Sequence, residues 1–270
     1  MCRGSQMEPS LAVKTQRLIA MKLKRTLLTL TSAAAMLAVQ PVMADSLTFN
    51  GLYYSGADTV HIYNTATPPV GRASMSGGEY VYSGGFSMKD TTGPWTMGTV
   101  TTAKNASFMA WCIDIWDNMG SAEYTLKTDE AYVPSSHVPL TAAKELALER
   151  LASNNLSLVV DAKTSSAFQL ASWEIMAENS TNYSLTGANK GNFYTSGDRL
   201  GADVLANNWL TNLGTATPTN ELFVWRADRQ GSTQDLAVYA PIPEPETYAL
   251  LLAGLGLLGL VARRRKPQAT

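Results

Sequence analysis

"TAAKELALERLASNN", residues 141–155, is where the chain changes character. Thr141 suits a helix N-cap, and Leu146, Ala147, Arg150 and Leu151 recur at helical spacing along one stripe. Upstream, back to Ser46, the text is β-like. "SLTFNGLYY", "TVHIYN", "EYVYSGGFSM", "WTMGTVTT" and "SFMAWCIDIW" are rich in Thr, Val, Tyr, Phe and Trp, and clusters of Gly, Pro, Asn and Asp separate them. Strands recurring every ten to fifteen residues or so predict a sandwich or a barrel. Downstream, "SSAFQLASWEIMAEN" places Ala167, Leu170, Ala171, Glu174 and Ile175 at helical spacing, and "RLGADVLANNWLTNL" follows Asp198 as a cap. Helices are thus expected near 141–153, 165–179 and 198–213. Strand text returns in "ELFVWRA" and "DLAVYA". The expected fold class is α+β: a β-rich sandwich or barrel lobe with packed or inserted helices, without internal repeats.

The two ends read as addresses. Met21-Lys-Leu-Lys-Arg25 is a cationic n-region, Thr26 to Val39 an apolar h-region, and Val42-Met43-Ala44 a small-residue cleavage site. Cleavage after Ala44 is expected, with Met21 as the true start, so residues 1–44 are leader and signal peptide. The exported domain is then 45–240. Residues 241–270 hold a Pro-rich linker, an apolar run from Tyr248 to Ala262 and four cations, Arg263, Arg264, Arg265 and Lys266. As a helix the run is roughly 22 Å long, short for a hydrocarbon core of about 30 Å. Snorkelling cations extend its reach, and they favour the cytoplasmic side. A single C-terminal transmembrane helix is expected. The match of Gly254, Gly256 and Gly259 to a dinucleotide fingerprint lacks the strand and βαβ unit that would give it meaning.

"IPEPETYALLLAGLGLLGLVARRRK" resembles the PEP-CTERM sorting signal: Pro243, Glu244 and Pro245, then a short glycine-bearing helix, then the Arg263–Arg265 stop. The resemblance implies recognition and cleavage by an exosortase. It implies export through the inner membrane of a Gram-negative bacterium, transient anchoring, and release to the cell surface or an exopolysaccharide matrix.

Charge and cysteine usage narrow the rest. Six of the 21 Lys and Arg precede Asp45 and four follow Ala262, while of the 22 acids only Glu8 lies outside the segment Asp45–Glu246. That segment keeps 11 cations against 21 acids, a net charge of −10. Nucleic acid is excluded as a partner that charge would attract. Of the two cysteines, Cys2 falls in the leader. Cys112 remains, alone in an oxidising compartment, which points to a reactive thiol, an intermolecular bridge or another bond. A lone cysteine is also often a small buried hydrophobe.

"AWCID" and "AFQLASW" together resemble the motifs of thioester domains of bacterial surface adhesins, an aromatic-Cys-aliphatic-Asp strand and an apolar-Gln-x-apolar-x-Trp helix. The resemblance implies that Cys112 supplies the sulfur and Gln169 the acyl carbon of an internal thioester. Trp111, Asp114, Phe168 and Trp173 would line its pocket. Departures are Trp111 in place of Tyr or Phe, and Ser172 in place of Ile. The partner would be a nucleophile-bearing surface ligand or exopolysaccharide. No cofactor, metal or catalytic turnover is expected. His61 and His137 lack zinc spacing, Asp114 and Asp117 read as a solvated face, and Glu174 and Glu178 share one helix face rather than opposing walls of a cleft. Two other readings stand beside the thioester: a non-catalytic matrix component with an inert buried cysteine, and a secreted hydrolase, for which no acid/base or nucleophile set is apparent.

Overall fold

In the computed structural model the described residues are 45–258, apart from 57, 69–71, 99, 128–138, 179–181, 229–232 and 243–249. In chain order the strands and helices are β1 (Asp45–Leu52), β2 (Asp58–Asn64), β3 (Met75–Ser83), β4 (Phe86–Asp90), β5 (Trp95–Met97), β6 (Val100–Thr102), β7 (Ser107–Cys112) and β8 (Ala122–Lys127). Then follow α1 (Ala142–Asn155), α2 (Ala162–Ala177), β9 (Phe193–Thr195), α3 (Ala202–Thr211), β10 (Asn220–Ala227) and β11 (Leu236–Pro241). Six strands close into an antiparallel barrel in the order β1-β4-β7-β11-β10-β8, so the lobe is a barrel rather than a sandwich. A separate sheet has the order β3-β2-β9, and β5 and β6 form a hairpin.

Alternation sets the barrel walls. β4 buries Phe86, Met88 and Asp90 and half-exposes Ser87 and Lys89, the period-two pattern of a strand with one face on a core. Rings fill the interior: Trp225 meets Trp95 edge-on at 5.6 Å, and Trp111 lies 4.3 Å from Phe168. "EYVYSGGFSM", which reads as one strand, is two. The chain breaks at Gly84 and Gly85, where the Gly85 N–H donates to Ser165 Oγ at 2.8 Å. A Cβ on Gly85 would meet Met109 and Trp111 at 3.0 Å, so glycine is needed for close approach.

Helix α2 contacts β7 of the barrel and also β2, β3 and β9. Its first turn is closed by a capping box: Asp161 Oδ1 accepts from the Thr164 N–H at 2.8 Å, and Thr164 Oγ1 accepts from the Asp161 N–H at 3.1 Å. Every residue from Ser165 to Ala177 is buried, so the expected apolar stripe is instead a helix buried all round. In α1 the expected stripe is rotated. Ala147, Leu148, Leu151 and Ala152 are buried, but Leu146 is exposed and the Arg150 guanidinium donates to the carbonyls of Thr215 and Ala216. Asp198 does cap α3, though from three residues before the N-cap Gly201, whose φ of 73° suits glycine. Asp198 accepts from the Gly201, Ala202 and Asp203 N–H groups.

Residues 250–258 are helical and exposed. Among the described residues no helix is long and apolar enough to cross a membrane. The expected span Tyr248–Ala262 is described only in part. The leader, the Pro243-Glu244-Pro245 motif and Arg263–Arg265 lie outside the described residues.

Candidate functional site

Strand β7 ends at Cys112, and there its ladder is incomplete. On one side the Ile113 N–H reaches the Asp235 carbonyl at 3.2 Å, in line with the β7–β11 pairing. Neighbouring residues of a strand direct their polar groups to opposite sides, so Cys112 presents its own N–H and C=O toward β4. Pairing with β4 stops at Ala110. Buried backbone groups need partners, and Gln169 of α2 supplies both. Its Oε1 accepts from the Cys112 N–H at 3.0 Å, and its Nε2 donates to the Cys112 carbonyl at 2.7 Å. A helix carboxamide thereby replaces one residue of a missing strand. Both residues are wholly inaccessible to solvent, so Gln169 does not face water as an amphipathic reading of α2 would allow.

The sulfur is as dry as the amide. Cys112 Sγ donates to the Asp114 carbonyl at 3.2 Å. Burial pushes the thiol far above its usual range. Trp111, Phe168 and Trp173 are all buried. The Ser172 hydroxyl, a departure from the motif, donates to the Phe168 carbonyl at 2.9 Å. It is thereby occupied by its own helix rather than aimed at the sulfur.

The acids are not where the sequence put them. Asp114 and Asp117 are buried, which overturns the solvated-face reading. Asp114 Oδ1 accepts from the Trp116 N–H at 3.2 Å and shapes the turn that ends β7, while Asp117 pairs with Arg72. Glu174 and Glu178 are also buried, and they fasten chain rather than face a cleft. Glu174 Oε1 accepts from the Ser184 N–H at 2.6 Å, and Glu178 Oε1 from the Asn192 and Phe193 N–H groups. Burial raises the Glu174 carboxyl to about 8. Among the described residues no group of three or more His, Cys, Asp or Glu could hold a metal ion. His61 stacks on Tyr80 at 4.3 Å, and His137 lies outside the described residues.

A cleft of about 760 Å³ opens beside β3, and no motif announces it. Tyr80, Tyr82 and Trp116 line it, and so does Trp173, which also bounds the thiol. The only signal in the sequence is the pair of tyrosines at alternate positions of "EYVYS".

Residues 241–266 match the model of the PEP-CTERM protein-sorting motif. That motif implies export, membrane-associated sorting to the cell surface and processing by exosortase. No curated protein matches the chain. Among solved structures the chain is similar to the N-terminal thioester domain of a surface protein from Clostridium perfringens and to a cysteine-to-alanine mutant of it. Both align at 12% identity and a TM-score of 0.37, over 67% of this chain and 98–99% of theirs. A likeness at that level leaves the chemistry of the site to its own geometry.

Proposed function

We propose that this exported surface protein stores an internal thioester between Cys112 and Gln169 and uses it to attach covalently to a nucleophile-bearing ligand. The observation that supports this reading is the reciprocal pair of hydrogen bonds between the Gln169 carboxamide and the Cys112 backbone, in a fully buried site. The acyl carbon is held against the residue whose sulfur must reach it, which converts a bimolecular encounter into a positioned one. The sulfur adds to Cδ, the Cδ–Nε2 bond breaks, and nitrogen leaves with the thiol proton as ammonia. The Cys112 N–H, already on Oε1, is placed to stabilise the charge that develops there.

The stored bond is an acyl group less stabilised by resonance than the amide it replaces. The Trp111, Phe168 and Trp173 walls keep water from hydrolysing it. An amine or hydroxyl of the ligand takes the acyl group, Cδ–S breaks, and the sulfur recovers a proton. One molecule reacts once, so this is attachment and not turnover. The apolar run Tyr248–Ala262 serves as the transient anchor from which the domain is released to the surface or matrix of a Gram-negative cell.

Intact mass of the purified domain tests the reading. The expected mass is one ammonia below the encoded value, and Cys112→Ala or Gln169→Ala each shows its full encoded mass. Methylamine adds its own mass to the wild type and frees one thiol. A wild-type domain at its full encoded mass, with one thiol titrating after unfolding, would instead mark Cys112 as an inert core residue and the protein as a non-covalent matrix component.

A further inference from the structure

We propose that the cleft beside β3 takes up one extended peptide strand of a partner protein, which pairs with the free edge of β3 and points a lysine or arginine at Glu79. Glu79, Tyr80, Val81 and Tyr82 all line the cleft. Successive residues of a strand face opposite sides of a sheet, so a cleft that touches four in a row runs along the strand's edge and not over one face. That edge is open: β3 pairs with β2, and among the described residues no strand pairs with its other side. The outward row of backbone N–H and C=O groups can receive another strand. Four residues give it about 14 Å of length.

The register decides which side chains of the incoming strand meet which surface. Glu79 and Val81 stand opposite Ile62 and Val60, which are fully buried, so they face inward. Tyr80 and Tyr82 stand opposite His61 and Thr59 and face outward, 75% and 70% exposed, with His61 stacked on Tyr80 at 4.3 Å. Side chains of an added strand alternate in the same way. Its inward residues enter the cleft, where Phe49, Leu52, Met75, Trp116 and Trp173 form an apolar lining. Its outward residues lie beside the two tyrosines, where β-branched side chains make good cross-strand neighbours. One strand thereby uses both surfaces, although they are on opposite faces of the sheet.

Charge selects the residue opposite Glu79. Arg72 and Asp117 pair with each other in the lining, whereas Glu79 is exposed and has no ion-pair partner among the described residues. An inward cation would pair with it. A strand whose inward residues are all apolar or acidic would cover the carboxylate unpaired, which is how an inward charge keeps an edge from pairing indiscriminately. The same carboxylate argues against a second copy of this chain. β3 set antiparallel on another β3 would bring both Glu79 side chains to one face without a cation, between segments that each carry a net charge of −10. Docking stands apart from the proposed thioester, since it uses neither Cys112 nor Gln169.

The test titrates the complete exported domain with three capped heptapeptides, Thr-Xaa-Thr-Lys-Thr-Xaa-Thr with Xaa as Val, Leu or Phe, read by tryptophan fluorescence and by NMR of the Glu79–Tyr82 amides. The Cys112→Ala variant is run beside the wild type, so that docking is also read where no thioester can form. At least one peptide should bind both proteins. Glu79→Lys should weaken that peptide about tenfold and favour its counterpart with Glu in place of Lys, with melting temperature unchanged because Glu79 is exposed. N-methylating either the Thr residues or the residues between them removes alternate amide donors, and only one set faces β3. One methylated series should therefore lose about tenfold or more in affinity while the other binds as before. Binding of none of the three peptides, equal loss from both methylated series, indifference to Glu79→Lys, or self-association of the domain through β3 in place of peptide binding would overturn the proposal.

Discussion

Gln169 and Cys112 occupy one site but do unequal structural work, and their removal separates the two roles. Relative to the chain before Nε2 leaves, and to Cys112→Ala, which keeps the carboxamide, Gln169→Ala strips partners from the Cys112 N–H and carbonyl together, in a place water does not reach. Leaving buried polar groups unpaired costs about 1–3 kcal/mol each, so a loss of roughly 2–5 kcal/mol is expected in urea unfolding. Cys112→Ala removes one sulfur and leaves both backbone bonds in place, which should cost about 1–2 kcal/mol. A Gln169→Ala domain as stable as Cys112→Ala would show that the carboxamide does not complete β7. Glu174 supplies a pH signature. Burial raises its carboxyl from 4.5 to about 8. Between those values the unfolded chain has lost a proton that the folded chain keeps, so stability falls as pH rises from about 4.5 to about 8. The full span is on the order of 4–5 kcal/mol as an upper bound. Glu174→Gln should match the wild type near pH 4, exceed it at pH 8, and flatten the profile of melting temperature against pH. An unchanged profile would assign the slope to other groups.

At the scale of elements, α2 is the hinge of the site, and its start is the easiest part to weaken. Asp161→Ala removes the acceptor of the capping box and should cost about 1 kcal/mol by thermal unfolding. Its far end is held by Glu178, which packs against Gly191 so closely that an added Cβ would overlap the carboxylate. Gly191→Ala should therefore break the bonds from the Asn192 and Phe193 N–H groups and speed hydrogen exchange through β9. Sequence patterning found α2 because Ala167, Leu170, Ala171 and Ile175 recur at helical spacing, and it found β7 because large apolar residues flank Cys112. It misjudged the burial of α2, because Ser165 and Ser172 look polar. In the fold Ser165 Oγ accepts from Gly85, and Ser172 Oγ turns back on the Phe168 carbonyl. It misjudged Asp114 for a related reason, since the donor that justifies a buried carboxylate is a turn amide two residues on.

For the whole molecule, the strands could be read but not their partners. β1 pairs with β4 on one side and with β8 on the other, and such pairings between separated segments leave no mark on local periodicity. The barrel nevertheless bears on where processing can fall: among the described residues Asp45 already pairs with Tyr124, so a cut beyond it would remove residues of the seam. Processing after Ala44 leaves the seam strand whole, so N-terminal sequencing of the exported protein should begin at Asp45. A chain starting at Asn50 would lack the residues that pair Leu47, Thr48 and Phe49 with Asp90, Lys89 and Met88, and Asp45, Ser46 and Leu47 with Tyr124, Glu123 and Ala122. The barrel would open and expose two strand edges, which template aggregation. That truncated protein should be recovered as aggregate, or with near-UV circular dichroism much reduced. A soluble, cooperatively folding product would mean that β1 is dispensable and that closure of the barrel is not what holds Cys112 and Gln169 together.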